Sequence, residues 1–532
     1  MGTGQYPDDL DFPGLTIASA VRSKYPRARV LSIDAEKARA LPGVVGVLTA
    51  ADVPVNQVGH LIYDWDVMIA EGDITRCVGD AIALVVAKDR KTLERAKKLV
   101  KVEYEELTPV RNIDEAAAPD APIIHESFNA FGNHVVLKNN ICQQRHVTRG
   151  DAKAALAASA YTVTDTFVTP FTEHAFLEPE CAVAAPYKNG VKVWSTDQGA
   201  YDTRKECAHM LGWDAEPERV VVQTMFVGGG FGGKEDVSVQ HLAALAAYKL
   251  NVPVKCFLTR EESIAFHPKR HYMRGTFTLG CDEQGHFTGM DCEINFDTGA
   301  YASSGTYTTG GAVVFAANDL VEKIRAQAAT WWGIDVADVE FDAGLVQTAD
   351  GKNKMTVAEM ANRAIGFGLN PGMLSGHGSN TQPQSPPPFI AAVAEVEVDK
   401  ETGKYELTDY AAVVDCGTVI NTNLARVQVE GGLVQGIGMA MCEDVSYDAK
   451  GKMRTDSFMQ YKIPTRMDVP DVRVEFMPSY EPTGPFGAKS IGEIVINTPS
   501  PAIAHAIANA TGLWFKELPI TSEKIAMGLL KK

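Results

Sequence analysis

Residues 218–250 read ERVVVQTMFVGGGFGGKEDVSVQHLAALAAYKL, and this stretch organises the rest of the chain. It begins with β-branched, apolar residues from Val220 onward, which predict a strand. It ends, over residues 237–250, with apolar residues at helical spacing. Between these parts, only Phe231 interrupts five glycines, which are Gly228, Gly229, Gly230, Gly232 and Gly233. Glycine permits positive φ and close backbone approach, and a helix start offers free N–H groups to anions, so the pattern predicts a ligand-contacting loop.

The same loop matches the beginning of a nucleotide-binding P-loop. Residues 228–234 satisfy GxxxxGK, but the next position should be Ser or Thr to hold Mg²⁺, and here it is Glu235. A carboxylate there would repel nucleotide phosphates, so a P-loop protein is a remote alternative. A glycine turn that only packs a helix on a sheet is also disfavoured, because five glycines lose more backbone entropy than a plain turn requires.

The composition excludes several classes of protein. The 532 residues are 45% hydrophobic and 22% charged, as in a soluble globular chain of several domains. The net charge of −17 argues against nucleic-acid and anionic-membrane partners, and no apolar run reaches membrane-spanning length. The nine cysteines are scattered and form no C-x-x-C pair, which argues against a local iron–sulfur cluster and favours a reducing, cytoplasmic location. The electron carriers of a redox enzyme would therefore lie on other chains.

Two polar clusters raise the question of a metal or anion site. Glu173, His174 and Glu178 are zinc or iron ligands by type. Pro179 and the flanking strands argue against a helix that would place His174 and Glu178 on one face, so a structural role is favoured. The run HPKRH at residues 267–271 has the composition of a phosphate site, but a solvated turn is the preferred interpretation.

The full string GGGFGGKE at residues 228–235 resembles the large, molybdenum-binding subunit of the xanthine dehydrogenase and aldehyde oxidoreductase family. Further phrases resemble the same family: SIDAEKARALPGVVGVLTAADVP at 32–54, VGDAIALVVAKDRKTLERAKKLVKVEYEELTPV at 78–110, VEGGLVQGIGMAM at 429–441 and AKSIGE at 488–493. The resemblance implies an α+β fold with an amino-terminal α/β-hammerhead domain at 1–115 and a linker at 116–135. A two-part molybdopterin-binding domain of mixed sheets and helices is expected to follow at 136–305 and 306–532, with both parts incomplete.

The incompleteness concerns the middle of the chain. After a phrase like DTGAYAS, here at residues 297–303, family members continue for roughly another domain, with an R-G-F-G phrase and a G-Q-G phrase. This chain contains neither, and SSGTYTTGGAV at 303–313 resembles a later pterin-contacting turn. Two family segments therefore join near Ser303. Either the chain has a real internal deletion, or a segment is absent from this sequence and the numbering runs across the gap.

The resemblance also implies roles for individual residues. Glu493 corresponds to a buried general base, and Glu235 to the carboxylate that holds a purine substrate. Gln198 corresponds to a glutamine that hydrogen-bonds a molybdenum oxo group, and Phe231 lies beside the cofactor. Neither residue would ligate the metal, and no direct protein ligand is expected. The remaining expected cofactor contacts are Gly229, Gly230, Gly232, Ser303, Ser304, Gln435 and Gly492.

The implied activity is hydroxylation of an electron-poor carbon with water as the oxygen donor. The implied substrate is a purine such as xanthine or hypoxanthine, or a related N-heterocycle, because aldehyde oxidoreductases have an apolar residue at the position of Glu235. The cofactor would be molybdenum–molybdopterin, with its cytosine dinucleotide form as one option. Electrons would leave through 2Fe-2S and FAD on partner subunits of a hetero-oligomer. Two alternatives stay open within the family: a non-catalytic, truncated relative kept as a scaffold, and an aldehyde oxidoreductase.

Overall fold

The computed structural model describes residues 2–60, 62–130, 133–297, 305–365, 372–380 and 386–531. The chain divides into two units. The first unit consists of Met1–Tyr301, Met441–Ile463 and Phe515–Ile520. The second consists of Ala302–Ala440, Pro464–Trp514 and Thr521–Lys532.

Both units combine helices with sheets whose strand pairs are mostly antiparallel, which confirms the α+β class. The strands in chain order are β1 (Thr16–Arg22), β2 (Ala28–Asp34), β3 (Val44–Thr49), β4 (Ala81–Ala87), β5 (Lys101–Glu106), β6 (Ser127–Ala130), β7 (Asn133–Val136), β8 (Tyr161–Thr169), β9 (Cys181–Tyr187), β10 (Gly190–Ser195), β11 (Val220–Thr224), β12 (Val254–Phe257), β13 (Met273–Cys281), β14 (Phe287–Phe296), β15 (Val339–Asp342), β16 (Leu345–Thr348), β17 (Lys354–Thr356), β18 (Phe389–Val398), β19 (Tyr405–Asp415) and β20 (Val472–Phe476). The α-helices are α1 (Glu36–Arg39), α2 (Arg90–Leu99), α3 (Ile113–Ala117), α4 (Ala152–Ala157), α5 (Ala200–Met210), α6 (Gln240–Leu250), α7 (Arg260–Phe266), α8 (Gly305–Trp332), α9 (Val357–Ile365), α10 (Thr422–Met441), α11 (Pro499–Thr511) and α12 (Ser522–Leu530).

The largest sheet of the first unit has seven strands in the order β11-β10-β9-β12-β1-β4-β3. Every residue of β4, AIALVVA, is buried, as expected for a continuous apolar run in the middle of a sheet. Helix α6, QHLAALAAYKL, is apolar on most of its circumference and packs against β9 and β10. This core positions the ends of β10 and β11, and the candidate site begins at those ends.

The apolar pattern of residues 15–32 predicts a strand pair around residues 24–27; both strands exist, but they pair with other strands and not with each other. Strand β1 pairs antiparallel with β4 and parallel with β12, whereas β2 pairs antiparallel with β5. Strand β1 lies inside the seven-stranded sheet, so β4 and β12 already occupy both of its edges and β2 must find another partner.

Sequence analysis also missed helix α7, for which a signal was available. The Thr259 side chain accepts a hydrogen bond from the Glu262 backbone N–H, and the Glu262 carboxylate accepts one from the Thr259 N–H. This reciprocal pair is a capping box, and Ser or Thr followed three residues later by Glu is its sequence signature. The predicted linker at 116–135 contains most of a short antiparallel hairpin formed by β6 and β7.

The second unit has two three-stranded sheets, in the orders β15-β16-β17 and β18-β19-β20. Helix α8 packs against β15 and β16, and α11 packs against β18. Helix α10 is buried along Gly432, Leu433, Gly436 and Ile437. Within the described ranges of the chain, every helix is too short or too polar to cross a membrane.

Candidate active site

The candidate site in the first unit lies at the carboxyl ends of two neighbouring parallel strands. Strand β10 pairs parallel with β11, with Ser195 opposite Thr224. Gln198 follows the end of β10, and the glycine loop follows the end of β11. The two segments are also tied together, because Thr224 Oγ1 donates a hydrogen bond of 2.9 Å to Asp197 Oδ1. The carboxyl edge of parallel strands is a recurrent place for ligands.

The glycine loop has the backbone conformation that its sequence predicts. Gly229 and Gly232 have φ of 95° and 85°, in the left-handed region that glycine adopts without strain. Phe231 also has a positive φ, 53°, and its side chain is exposed. Helix α6 starts at Gln240, three residues later than the predicted start at residue 237, so its N-terminal N–H groups lie farther along the chain from the loop than expected. The N–H groups near the site come from the loop itself.

Gln198 is held rigidly by this loop. Its Oε1 accepts hydrogen bonds from the N–H groups of Gly232, at 3.0 Å, and Lys234, at 3.2 Å. Its own N–H donates to the Lys234 carbonyl at 2.9 Å. A Cβ at position 230 would lie 2.4 Å from Gln198 Oε1, so only glycine allows this approach.

The two donors decide which end of the Gln198 amide faces a ligand. An amide oxygen that accepts two N–H groups leaves the NH₂ on the opposite side. Gln198 is exposed, and its Nε2 makes no hydrogen bond within the described parts of the chain. Space is open beside it, because a Cβ at Gly232 would have no atom within 4 Å. A fixed donor over an open glycine cradle fits a group that presents an oxygen acceptor, as a molybdenum cofactor does.

The lysine of the glycine loop is buried and points away from the ligand side. Lys234 Nζ lies 3.1 Å from Glu178 Oε2 and donates to the Glu178 carbonyl at 2.8 Å. Burial lowers the pKa of Lys234, and Glu178 opposes that shift. Glu178 Oε2 also accepts the Gly228 N–H at 2.7 Å, which fixes the beginning of the loop. A P-loop lysine must reach phosphates, so the P-loop alternative is wrong.

The basic run at 267–271 supports the loop from behind, and the prediction of a solvated turn is wrong. His267 is buried, and its Nε2–H donates to the Gly233 carbonyl at 2.6 Å. Arg270 Nη2 donates to the Phe231 carbonyl at 2.7 Å. A Cβ at Gly233 would lie 2.8 Å from both the His174 and the His267 rings. Loop and basic run are distant in sequence, which is why local patterns missed their contact.

Glu173, His174 and His267 offer ligand atoms within 4.8 Å of one another, so their geometry alone would suit a metal ion. The charges favour a structural network instead. Lys269 Nζ lies 2.6 Å from Glu173 Oε2, and burial, with a smaller contribution from Arg270, lowers the pKa of His174 well below its usual range. The preferred structural interpretation of Glu173 and His174 stays the better one.

This network extends to residues that the sequence did not single out. The Tyr461 hydroxyl accepts the Glu173 N–H at 2.8 Å and donates to Glu443 Oε2 at 2.5 Å. Burial raises the pKa of Glu443 to about 7, against the opposing effect of the Tyr461 hydrogen bond. Tyr461 lies 288 positions from Glu173, so no spacing in the sequence could reveal the pair.

In the second unit, glycines of α10 position the segment that carries Glu493. A Cβ at Gly432 would lie 2.2 Å from Val495 Cγ2, and one at Gly436 would lie 2.7 Å from Pro499 Cγ. Gln428 Nε2 donates to the Gly492 carbonyl at 3.4 Å. Close packing therefore accounts for the glycines at these two positions. Gln435 lies on the same helix and is half-buried.

Glu493 itself is exposed, which corrects the expectation of a buried base. It precedes a short 3₁₀ helix, Ile494–Ile496, in which Val495 is the buried residue. The Val495 side chain is buried against Gly432, and the backbone at this point leaves the Glu493 side chain exposed.

The predicted site residues are thus distributed over both units. Gln198, Gly229, Gly230, Phe231, Gly232 and Glu235 come together in the first unit, and Gln435, Gly492 and Glu493 belong to the second. Ser303 and Ser304 lie outside the described residues. The support formed by Lys234, Glu178, His267 and Arg270 was not predicted.

Three family profiles match the chain. An "Aldehyde oxidase and xanthine dehydrogenase, a/b hammerhead domain" matches residues 1–108. Two profiles, each described as "Molybdopterin cofactor-binding domain", match residues 134–326 and 288–470. The match at 134–326 contains both Gln198 and the glycine loop.

Individual proteins that are similar to this chain include molybdopterin-binding subunits and dehydrogenases. The large molybdopterin subunit of nicotinate dehydrogenase from Eubacterium barkeri is 37% identical over 308 residues, covering 57% of this chain and 69% of that protein. A probable subunit of a xanthine dehydrogenase from Bacillus subtilis is 24% identical over 737 residues, covering 100% of this chain and 97% of the relative. The solved CO dehydrogenase from Oligotropha carboxidovorans has a TM-score of 0.86 at 19% identity, covering 100% of this chain and 96% of that chain.

The Bacillus comparison also bears on the missing segment. It extends over 737 residues whereas this chain has 532, so about 205 residues of the relative have no counterpart here. This difference agrees with the internal segment that the sequence lacks.

Proposed function

Because the chain belongs to the xanthine dehydrogenase and aldehyde oxidase family of molybdenum hydroxylases, we propose that it hydroxylates a purine such as xanthine or hypoxanthine, or a related N-heterocycle. Two relatives support this substrate class by name, since one is named for xanthine and the other for nicotinate, and both compounds are nitrogen heterocycles. A carboxylate at Glu235, directly after the loop, is suited to accept hydrogen bonds from ring N–H groups.

The observation that carries the proposal is the fixed Gln198 amide. Its Nε2 would donate to an oxygen of the cofactor, while Gly229, Gly230 and Gly232 admit the cofactor close to the backbone and Phe231 borders it. When bound, the molybdenum cofactor would supply a water-derived oxygen and take up two electrons. Gln435 and Gly492 are the further proposed cofactor contacts, with no protein side chain as a metal ligand.

Glu493 is the proposed general base. Its carboxylate would remove the proton from the oxygen that attacks the substrate carbon, which is a role that contributes about 10²–10⁴-fold to a rate. The Gln428 bond to the Gly492 carbonyl and the contact of Val495 with Gly432 hold the backbone on either side of this carboxylate.

Electrons would leave through 2Fe-2S and FAD on partner subunits of a hetero-oligomer, since the nine cysteines are all free thiols and form no cluster motif. The cytosine dinucleotide form of the cofactor and a cytoplasmic location stay predictions.

The first experiment measures molybdenum per chain in protein purified from its native source together with its partners. Near-stoichiometric metal is expected. Glu493→Gln should then lower turnover of the purine by about 10²–10⁴-fold and leave the molybdenum content unchanged. Glu523→Gln, at an exposed glutamate at the start of α12, is the matched control and should change neither quantity.

Substantial turnover in Glu493→Gln would overturn the base assignment. Unchanged KM for purines in Glu235→Ala, with good turnover of aldehydes, would instead favour the aldehyde oxidoreductase alternative.

Two observations favour a second candidate, a non-catalytic relative kept as a scaffold. The chain lacks about 205 residues of its Bacillus relative, and Glu493 is exposed. Retention of Gln198, Glu235 and Glu493 together argues against it. Absence of molybdenum from the native complex would establish the scaffold role.

A further inference from the structure

The three-stranded sheet β14-β13-β8 of the first unit is strongly amphipathic. Its register places Leu279 of the central strand between Val163 and Met290, and Gly275 between Phe167 and Ile294. Because side chains alternate along a strand, these residues share one face. The apolar side chains of this face, hereafter the apolar sheet face, are Tyr161, Val163, Phe167, Met273, Phe277, Leu279, Phe287, Met290, Ile294 and Phe296.

The opposite face of the same sheet is polar and satisfied. Thr164 and Thr278 hydroxyls lie 2.9 Å apart, and Thr166 and Thr276 hydroxyls lie 2.8 Å apart. Helix α4 packs against this face at Gly280 and Gly289. The polar face therefore has hydrogen-bonded pairs and a covering helix.

The apolar sheet face, in contrast, is exposed. The exposed fraction is 82% for Phe287, 64% for Tyr161, 57% for Phe296, 56% for Val163 and 55% for Met290. A sheet normally packs its apolar face and solvates its polar one, and a contiguous exposed apolar patch marks an interaction site.

The charge on this face is neutralised. Asp165 lies opposite Phe277, and its carboxylate accepts a hydrogen bond from Lys516 Nζ. The strands therefore offer a partner an apolar surface with no unpaired charge from Asp165, which suits a stable interface more than an electrostatic encounter.

The position of the face in the chain identifies what covers it. Strand β14 ends at Phe296, directly before residues 298–304, where two family segments join. The alignment with the Bacillus relative extends over 737 positions, about 205 more than the 532 residues of this chain. Because β14 is the edge strand, a segment that followed it would begin at the edge of this face, close enough to cover it.

We propose that a separate polypeptide, equivalent to these missing residues of the relatives, docks on the apolar sheet face of this chain. The partner is a folded chain of roughly 200 residues with a matching apolar surface, a size typical of a domain. It is distinct from the iron–sulfur and FAD subunits. The inference follows from family membership and surface chemistry, and it does not depend on the substrate.

The test uses the complex purified from its native source. Mass spectrometry of its subunits should find an additional chain, stoichiometric with this one, whose sequence aligns with the unmatched residues of the Bacillus relative. Alkylation of Cys292, which is exposed on the same face, should fall at least about tenfold in the complex relative to the chain produced alone. Cys142, also exposed, calibrates the labelling reaction.

A pair of variants locates the interface. Val163→Lys combined with Phe167→Lys places two charges on the apolar sheet face and should lower retention of the additional chain at least about tenfold. Thr162→Lys combined with Thr164→Lys adds the same charge to the same strand on the opposite face. This double variant should retain the additional chain.

Each other outcome overturns the proposal. Protection of Cys292 by a second copy of this chain, or by the iron–sulfur or FAD subunit, would assign the face to that partner. A native chain about 205 residues longer than this sequence would show that the segment is supplied within the chain. A complex without such a chain, in which Cys292 reacts as fast as in isolation, would leave the face uncovered. Because the readouts are composition and labelling, they are independent of whether the enzyme turns over purines.

Discussion

At the scale of single residues, the sequence predicted Gln198 as a site residue but not the orientation of its side-chain amide. Its identity and its place after a strand were predicted, but an exposed glutamine has no preferred amide orientation on its own. The loop N–H groups of Gly232 and Lys234 decide that orientation by donating to Oε1. The resulting outward Nε2 is the feature from which a donor role follows.

Gln198→Glu therefore tests the donor role of Nε2 directly. A carboxylate keeps an acceptor for the two loop N–H groups but replaces the outward NH₂ by an oxygen that repels an oxygen-bearing ligand. Molybdenum content of the native-source enzyme is expected to fall at least about tenfold, since hydrogen bonds to charged groups contribute about 1.5–3 kcal/mol. The melting temperature should stay close to that of the unmodified protein.

The control for this substitution is Gln223→Glu, the same change at an exposed position of β11. It should leave molybdenum content unchanged. Full metal occupancy in Gln198→Glu would contradict the donor role.

At the scale of elements, the glycines of helix α10 have roles that the sequence alone does not determine. Its glycines were compatible with close packing or with a nearby ligand. Gly432 and Gly436 pack against Val495 and Pro499, whereas a Cβ at Gly431 would have no atom within 4 Å. Neighbouring glycines of one helix thus have different roles, which depend on the face they occupy.

This difference gives a matched pair of variants. Gly432→Ala would place a methyl group 2.2 Å from Val495 Cγ2, so we expect destabilisation of about 1–3 kcal/mol by overpacking and reduced turnover through a displaced Glu493. Gly431→Ala, at the open position, should be neutral or stabilising by up to about 1 kcal/mol because alanine favours helix. Urea unfolding and steady-state kinetics measure both effects, and equal behaviour of the two variants would contradict the packing argument.

At the scale of the whole molecule, two buried carboxyls couple stability to pH. Burial raises the pKa of Glu206 from 4.5 to about 8, with Asp236 adding to the shift and the Gly59 N–H opposing it. Burial likewise raises the pKa of Glu443 from 4.5 to about 7. The folded chain then holds more protons than the unfolded chain between about pH 4.5 and 8, so the free energy of unfolding falls as pH rises through that range.

Glu206→Gln should remove part of this dependence, because a neutral amide needs no proton to be buried. We expect its melting temperature to exceed that of the unmodified protein by about 2–4 °C at pH 9 and to match it near pH 5. Glu94→Gln, at an exposed position of α2, should reproduce the unmodified pH profile. An unchanged pH slope in Glu206→Gln would show that Glu206 is ionised in the folded chain.

The sequence by itself determined many of the elements, the family and most of the candidate residues around the glycine loop. Strand β11 and the positive φ of Gly229 and Gly232 follow from residues close together in the chain, because steric freedom and strand pattern are local properties. The class of cofactor was implied by the family resemblance of the loop. Only the tertiary structure decided what lies behind and beside them. Lys234 forms an ion pair with Glu178, and the loop is held by hydrogen bonds from His267 and Arg270. Glu493 is exposed, and β1 pairs with β12 rather than with β2. Each of these features depends on which distant segment packs at a given place. Contacts between distant segments produce no periodic pattern in the sequence, so local patterns cannot predict them.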